Sequence, residues 1–178
     1  MMKYLQKLGK AIMLPVAVLP VAAIMMGIGY AMCPATMQGG DVTGIIQIIG
    51  FALVKIGSAV IDKLPMLFAV GVAIGLSKDQ HGAAGLAGLV AFLTVTTVLN
   101  SGVVATMMGA EEAPLAFSKI DNAFIGIISG ITASVCYNKF SSAQLPTALA
   151  FFSGKRCVPI VTSFVMVAES AILYFVWP

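Results

Sequence analysis

Charged residues are scarce in this sequence. Lysine and arginine together number 10 and aspartate and glutamate 7, so that charged residues make up 10% of the 178 positions and hydrophobic residues 60%. A soluble domain carries about 25% charged residues, and a fold of this length has too much surface to cover with so few. The mean hydropathy of +1.02 instead fits a protein whose solvent is the lipid bilayer. The composition therefore predicts an integral membrane protein.

Histidine and cysteine are also rare. His81 is the only histidine, and Cys33, Cys136 and Cys157 lie far apart without a CxxC pair. This excludes a zinc site of the usual ligand spacing, and we interpret the cysteines as small apolar packing residues. The sequence shows no nucleophile–base pair and no phosphate-binding glycine loop. We therefore expect no catalytic residue, no metal and no cofactor, and the small net charge of +3 gives no indication of nucleic acid as a partner.

Apolar stretches long enough to cross a bilayer, which takes about 20 residues, fill most of the chain. They predict five spans, at 11–32, 45–77, 83–100, 121–137 and 157–177. The second is long for one span, and we expect it to kink or break near Pro65. The first follows several lysines, as a signal peptide does, but it is too long for the apolar core of one and is interpreted as a retained helix. The predicted fold class is an all-α membrane protein with about five transmembrane helices.

Basic residues are unevenly divided between the two ends of these spans. One side carries seven of them: Lys3, Lys7, Lys10, Lys78, Lys139, Lys155 and Arg156. The opposite side carries Lys119 alone, so the positive-inside rule places the N-terminus in the cytoplasm. The loop at 138–156 also has an apolar middle, and we expect this amphipathic segment to lie at the membrane interface. Its apolar residues are Leu145, Leu149, Phe151 and Phe152.

Three acidic residues are candidates for a substrate path or for its architecture. Glu169 lies near the middle of the fifth span, where a carboxylate is costly and functional by default; the alternative is a polar groove or subunit contact without a chemical role. Asp62 precedes the expected helix break, and broken helices border substrate paths in transporters; the alternative is a simple local ion pair or exposure at the membrane interface. Asp121 is placed to cap the fourth helix.

Small residues and a basic pair complete the candidates. Two GxxxG motifs occur, Gly71/Gly75 and Gly126/Gly130. Such motifs let helix backbones approach closely in lipid, and both packing within the chain and a dimer contact would use them.

Lys155 and Arg156 lie beside the fifth span, where they can face lipid headgroups or an acidic partner. The alternative is that they only reflect the positive-inside rule.

Five stretches follow one another in a recognisable order. They are LQKLGK and MLPVAVLP within 5–20, DKLPMLFAVGVA at 62–73, SKD and GAA within 77–84, GIISG and YNKF within 126–140, and LP with FFSGKRCVPI within 145–160. Over nearly its whole length the chain resembles the glucose/N-acetylglucosamine branch of phosphotransferase-system (PTS) membrane domains, called EIIC. The last stretch is specific by itself, and the others are specific in combination.

The resemblance implies a function and partners. Such domains carry a sugar across the bacterial cytoplasmic membrane while a soluble EIIB domain phosphorylates it from a phosphocysteine, with the phosphate coming ultimately from phosphoenolpyruvate. Full-length relatives are thus protein-phosphohistidine–sugar phosphotransferases. The Ser-Lys-Asp turn followed by Gly-Ala-Ala, at 77–84, favours N-acetylglucosamine over glucose.

The chain also departs from this family. Family members continue for as many residues again, and that second half carries the residues associated with sugar binding. None of the three cysteines matches the EIIB phosphocysteine, Glu169 falls where relatives are apolar, and Lys63 falls where many have Asn. We therefore expect residues 1–178 to be the N-terminal, dimerising scaffold half of an EIIC domain, a partial permease that is not catalytic alone. The alternatives are a non-transporting, oligomerising membrane fragment and a small stand-alone channel.

Overall fold

The computed structural model describes residues 2–178, apart from the side chains of Ala148 and Leu149. Within this range the chain forms α-helices and short 3-10 turns and no β-strand. The α-helices are α1 (Met2–Val16), α2 (Leu19–Met32), α3 (Ala35–Gln38), α4 (Ile45–Asp62), α5 (Leu64–Leu76), α6 (Gly82–Val98), α7 (Ser101–Met108), α8 (Ala123–Phe140) and α9 (Cys157–Val176). The 3-10 helices are Leu115–Lys119, Thr147–Phe152 and Gly154–Arg156. Leu149, counted among the apolar residues of the predicted interfacial segment, thus lies outside the described side chains.

Four helical stretches in the described chain are long and apolar enough to cross a membrane. They are Met2–Met32, Ile45–Asp62, Ala123–Phe140 and Gly154–Val176. A fifth is present if α6 and α7, which meet at a bend of 49°, are counted as one span. This confirms the all-α fold with four to five helices able to span a membrane. The predicted break is also present, because α4 ends at Asp62 and Pro65 lies in the first turn of α5, where its missing N–H costs nothing.

The bend between α6 and α7 corrects one prediction. The third predicted span ends at residue 100 and the fourth begins at residue 121, but the first part of the segment between them is the helix α7. Asn100 starts that helix by accepting a hydrogen bond from the Gly102 N–H at 3.0 Å, and Gly109 ends it with a left-handed φ of 64°, a conformation that glycine adopts without a steric cost. The third apolar stretch is therefore a broken helix followed by a shorter loop.

The helices form two compact units, of which the smaller comprises Met13–Leu64. Its core is the antiparallel pair of α2 and α4, which approach closely at glycines. A Cβ atom at Gly50 would lie 2.9 Å from the Gly29 carbonyl oxygen, and one at Gly57 would lie 2.6 Å from the Ala22 carbonyl oxygen. Backbone contact of this kind holds helices together in lipid, where no hydrophobic force draws them together. These glycines were missed in the sequence because they form no GxxxG pair within one helix.

The larger unit comprises Met1–Ile12 and Pro65–Pro178. Its helices α5, α6 and α8 meet at the backbone of Ala69, which we call the Ala69 junction. A Cβ atom at Gly88 of α6 would lie 2.5 Å from the Ala69 carbonyl oxygen, and one at Gly130 of α8 would lie 2.8 Å from the same atom. Ala69 and its neighbours Ala73 and Ala133 are fully buried. Helix α6 also packs on α9, which completes the core of this unit.

Candidate functional site

The turn between α5 and α6 is bonded to α8 and to the chain before α9. The Lys155 ammonium lies 2.6 Å from Oδ2 of Asp79, and the Tyr137 hydroxyl donates to the same oxygen at 3.0 Å. Lys78 donates twice to Asn138, from its backbone N–H to Oδ1 and from its ammonium to the carbonyl oxygen, both at 2.8 Å. These five residues form what we call the loop network. It joins segments that are about 60 to 80 residues apart in the chain.

The turn itself is fixed at both of its ends. The Asn138 side-chain N–H donates to the Leu76 carbonyl at 3.1 Å, which satisfies one of the carbonyls left free at the end of α5. Ser77 is fully buried and donates to the Ile74 carbonyl at 2.7 Å. At the other end, Nδ1 of His81 accepts from the Ala83 N–H at 3.1 Å and so caps α6. The position of Asp79 therefore follows from the two helix ends that flank it.

The charges of the loop network are exposed to water. The side chains of Lys155 and Asp79 are 42% and 46% exposed, whereas Tyr137 is buried. The hydrogen bond from Lys155, followed by the one from Tyr137, lowers the pKa of Asp79 from 3.8 to about 2, because both stabilise the carboxylate. An exposed ion pair contributes little to stability. The network thus holds the turn between α5 and α6 against α8 and the chain before α9, and we call this role a tether. Its groups do not form a nucleophile–base arrangement.

The structure separates the two basic residues that the sequence grouped. Lys155 is in the loop network, while the Arg156 guanidinium lies 4.9 Å from the Phe151 ring centroid and donates to the Phe151 carbonyl at 3.3 Å. Tyr137 and Asn138 were not predicted as site residues. Their place in the YNKF stretch was the signal, since the loop network joins the SKD, YNKF and SGKR stretches.

Glu169 lies at a polar contact between α8 and α9. Its Oε2 accepts a hydrogen bond from the Thr132 hydroxyl at 2.8 Å. The same two helices carry the fully buried hydroxyls of Ser129 and Ser170, for which the described part of the chain supplies no hydrogen-bond partner. Such groups cost free energy in an apolar interior. We call Glu169 and Thr132 the α8–α9 seam, because they place the mid-span carboxylate beside a hydroxyl.

Asp62 and Asp121 line separate clefts. Asp62 is exposed at the end of α4, where it borders a cleft of about 520 Å³ in the smaller unit together with Lys55 and Ser58. Asp121 borders a polar cleft of about 430 Å³ near the bend between α6 and α7. The prediction that Asp121 caps α8 is wrong. Asn122 caps it instead, because its Oδ1 accepts from the Ile125 N–H at 3.1 Å.

Three of the four GxxxG glycines face neighbouring helices of the same chain. A Cβ atom at Gly126 would collide with the Pro65 carbonyl, one at Gly75 would collide with Ala11, and Gly130 lies at the Ala69 junction. Gly71 is half-buried on α5. Packing within the chain therefore occupies these surfaces. The three cysteines are free and buried, in agreement with their interpretation as packing residues.

Membrane-crossing helices with close glycine contacts, tied together by their loops, define a polytopic helical membrane protein. The family model described as "Phosphotransferase system, EIIC" matches residues 9–178. The chain therefore belongs to the PTS EIIC family, which confirms the resemblance found in the sequence.

A curated relative gives the same assignment. The chain is 38% identical over 180 residues to a protein of Bacillus subtilis (strain 168), the PTS system N-acetylglucosamine-specific EIICB component. The alignment covers 100% of this chain and 33% of that protein. The chain thus spans about a third of the length of this relative.

Proposed function

We propose that the chain takes part in the uptake and phosphorylation of N-acetylglucosamine, as the scaffold half of the transport domain of a PTS permease in the bacterial cytoplasmic membrane. The observation that carries this proposal is the 38% identity, along the whole chain, to an N-acetylglucosamine-specific EIICB component. The name of that relative joins EIIC and EIIB, which supports an EIIB domain or subunit as partner and a sugar as substrate.

The packing of the larger unit supports the scaffold role. Three helices meet at the Ala69 junction through backbone contacts that leave no room for a side chain. Interiors packed this closely have low compressibility, which suits a rigid scaffold. The loop network fixes the turn at 77–81 against α8 and the chain before α9. With the N-terminus in the cytoplasm, this end of the helices is the one that faces EIIB.

The outer faces of the helices support a lipid environment and a homodimer. Large apolar side chains such as Ile24 of α2, Ile45 of α4 and Phe175 of α9 are between 61% and 82% exposed. Faces of this kind are covered by lipid or by a second copy of the chain. Because three of the GxxxG glycines are occupied within the chain, we place the dimer contact on these apolar faces.

A chimera tests the proposed function. The segment of the Bacillus subtilis protein that aligns with this chain is replaced by it, and phosphoenolpyruvate-dependent formation of N-acetylglucosamine phosphate is measured in membranes supplied with the general PTS proteins. We expect activity in the chimera and none with this chain alone.

Two controls make the result specific. A chimera with Gly130→Leu, which disrupts the Ala69 junction, should be inactive, and labelled glucose should give less product than N-acetylglucosamine. An inactive chimera that is present in the membrane in normal amounts would contradict the proposed function. Product from this chain without the rest of the permease would instead show that the chain holds a sugar site, and the scaffold role would be wrong.

A further inference from the structure

An apolar groove of about 550 Å³ lies beside the loop network, between the start of α6 and the chain that leads into α9. Its walls include Leu86, Phe151, Phe152 and Ile160, which are between 41% and 71% exposed. The two phenylalanine rings meet edge to face, with 5.3 Å between their centroids, a favourable geometry for an aromatic pair. The groove is thus a shaped apolar surface at the end of a membrane-crossing helix.

A guanidinium group stands at the rim of this groove. Arg156 is held over the Phe151 ring and uses one N–H to reach the Phe151 carbonyl, and a guanidinium carries five N–H donors. In the described part of the larger unit the ion pair of Lys155 with Asp79 is the only one, and no acidic residue lines the groove. Among the described residues, none therefore places a carboxylate against the Arg156 guanidinium.

We propose that this groove binds one anionic phospholipid, with an acyl chain against the apolar wall and the phosphate on Arg156. Basic groups between or beside helix ends on the cytoplasmic side recognise anionic headgroups, and the planar guanidinium matches a phosphate better than a lysine does. Leu86 and Ile160 are exposed on α6 and α9, two helices that expose further large apolar side chains as well, so an acyl chain that covers those faces also covers this groove. The inference goes beyond the proposed transport function, because it assigns a lipid to a defined place.

Lipid retention by the purified chain of residues 1–178 tests the proposal. The detergent-solubilised protein is mixed with palmitoyl-oleoyl phosphatidylglycerol, or with phosphatidylcholine of the same acyl chains, and bound lipid is counted by native mass spectrometry. We expect one phosphatidylglycerol to be retained preferentially, and Arg156→Gln to weaken its retention about fivefold without changing the retention of phosphatidylcholine. Inorganic phosphate should not displace the lipid, because the groove holds the acyl chain as well as the headgroup.

The matched control is Lys139→Gln, which removes a cation from the same end of α8 while leaving the groove intact; it should retain phosphatidylglycerol as the wild type does. A second variant, Leu86→Ser on the exposed face of α6, should weaken both lipids. Equal retention of the two lipids by the wild type, or unchanged retention in Arg156→Gln, would overturn the proposal. Loss of soluble EIIB binding in Arg156→Gln, with lipid retention unchanged, would show that the groove is a protein-docking surface.

Discussion

The Ala69 junction and the loop network hold the same unit together by opposite means. At the junction, α5, α6 and α8 touch through backbone and small side chains that are fully buried. At the network, long polar side chains reach across a water-exposed end, and their charged groups are almost half exposed. Water can replace a lost hydrogen bond at the network, whereas an added side chain at the junction forces the helices apart. We therefore expect substitutions to be far more costly at the junction.

The largest effect is expected for Gly130→Ala. The added Cβ would lie 2.8 Å from the Ala69 carbonyl oxygen, so that α5 and α8 must move apart at a cost of about 2 kcal/mol. The matched control is Gly27→Ala in α2, where a Cβ would meet no atom within 4 Å and better helix propensity should leave stability unchanged or improved. Thermal unfolding of the purified protein, followed by cysteine-reactive dye, measures both. Equal melting temperatures for the two variants would contradict the close contact.

Tyr137→Phe should have the next largest effect. The Tyr137 ring is buried, but its hydroxyl reaches Asp79 at the exposed network. This residue therefore links the buried core of the unit to its water-exposed end. Loss of the hydrogen bond should cost about 1 kcal/mol, while the apolar packing of the ring is kept. Tyr174→Phe, which removes a hydroxyl from α9, is the control and should change stability by less than about 0.5 kcal/mol. A loss as large as that of Gly130→Ala would show that the network is not a mere tether.

Part of the junction could be predicted from the periodicity of the sequence, whereas the only sequence signal for the network was the family resemblance of its stretches. Runs of apolar residues predicted the membrane spans, Pro65 predicted the break, and the GxxxG motif at Gly126 and Gly130 predicted a close helix contact. The network joins Asp79 to partners 58 and 76 residues away, and no periodicity within one sequence relates such positions. The helix α7 was missed because its start, Ser101-Gly102, has the composition of a loop. Both Asp121 and Asn122 are residue types that cap helices well. The choice between them depends on side-chain geometry, and Asn122 is the cap of α8.

A smaller effect, of opposite sign, is expected at Ser129 in α8. Ser129 is as buried as the junction, yet the described chain gives its hydroxyl no partner. Ser129→Ala should therefore stabilise the protein slightly, by about 0.5 kcal/mol, because an unpaired polar group is removed. Ser134→Ala is the control, since that hydroxyl donates to the Ile131 carbonyl at 2.7 Å; this variant should be neutral or slightly destabilised. Destabilisation by Ser129→Ala would show that the hydroxyl does have a bonding partner in the membrane.

The smallest effect on global stability is expected from the charge of Asp79. Its pKa is lowered from 3.8 to about 2 in the folded chain, so the ionised carboxylate favours the bonded loop. The stabilisation is complete above about pH 4 and is lost as the pH falls toward 2. Relative to the intrinsic exchange rate, hydrogen exchange of the amides at 78–81 should rise in the wild type as the pH falls from about 4 to about 2. In Asp79→Asn it should be high throughout and nearly independent of pH beyond the intrinsic exchange rate.

Comparing Lys155→Gln with the control Lys139→Gln distinguishes the effect of the ion pair with Asp79 from the effect of removing any positive charge at this end of the helices. Lys139 lies on the same end of α8 but contacts Phe140 and not Asp79, so this variant should keep the wild-type pH profile. Lys155→Gln should shift the loosening of the turn to higher pH, because the first of the two hydrogen bonds that lower the pKa of Asp79 is gone. If Lys155→Gln and Lys139→Gln gave the same profile, the tether would depend on Tyr137 and not on the ion pair. The exposed end would then be fixed, like the junction, by a buried side chain.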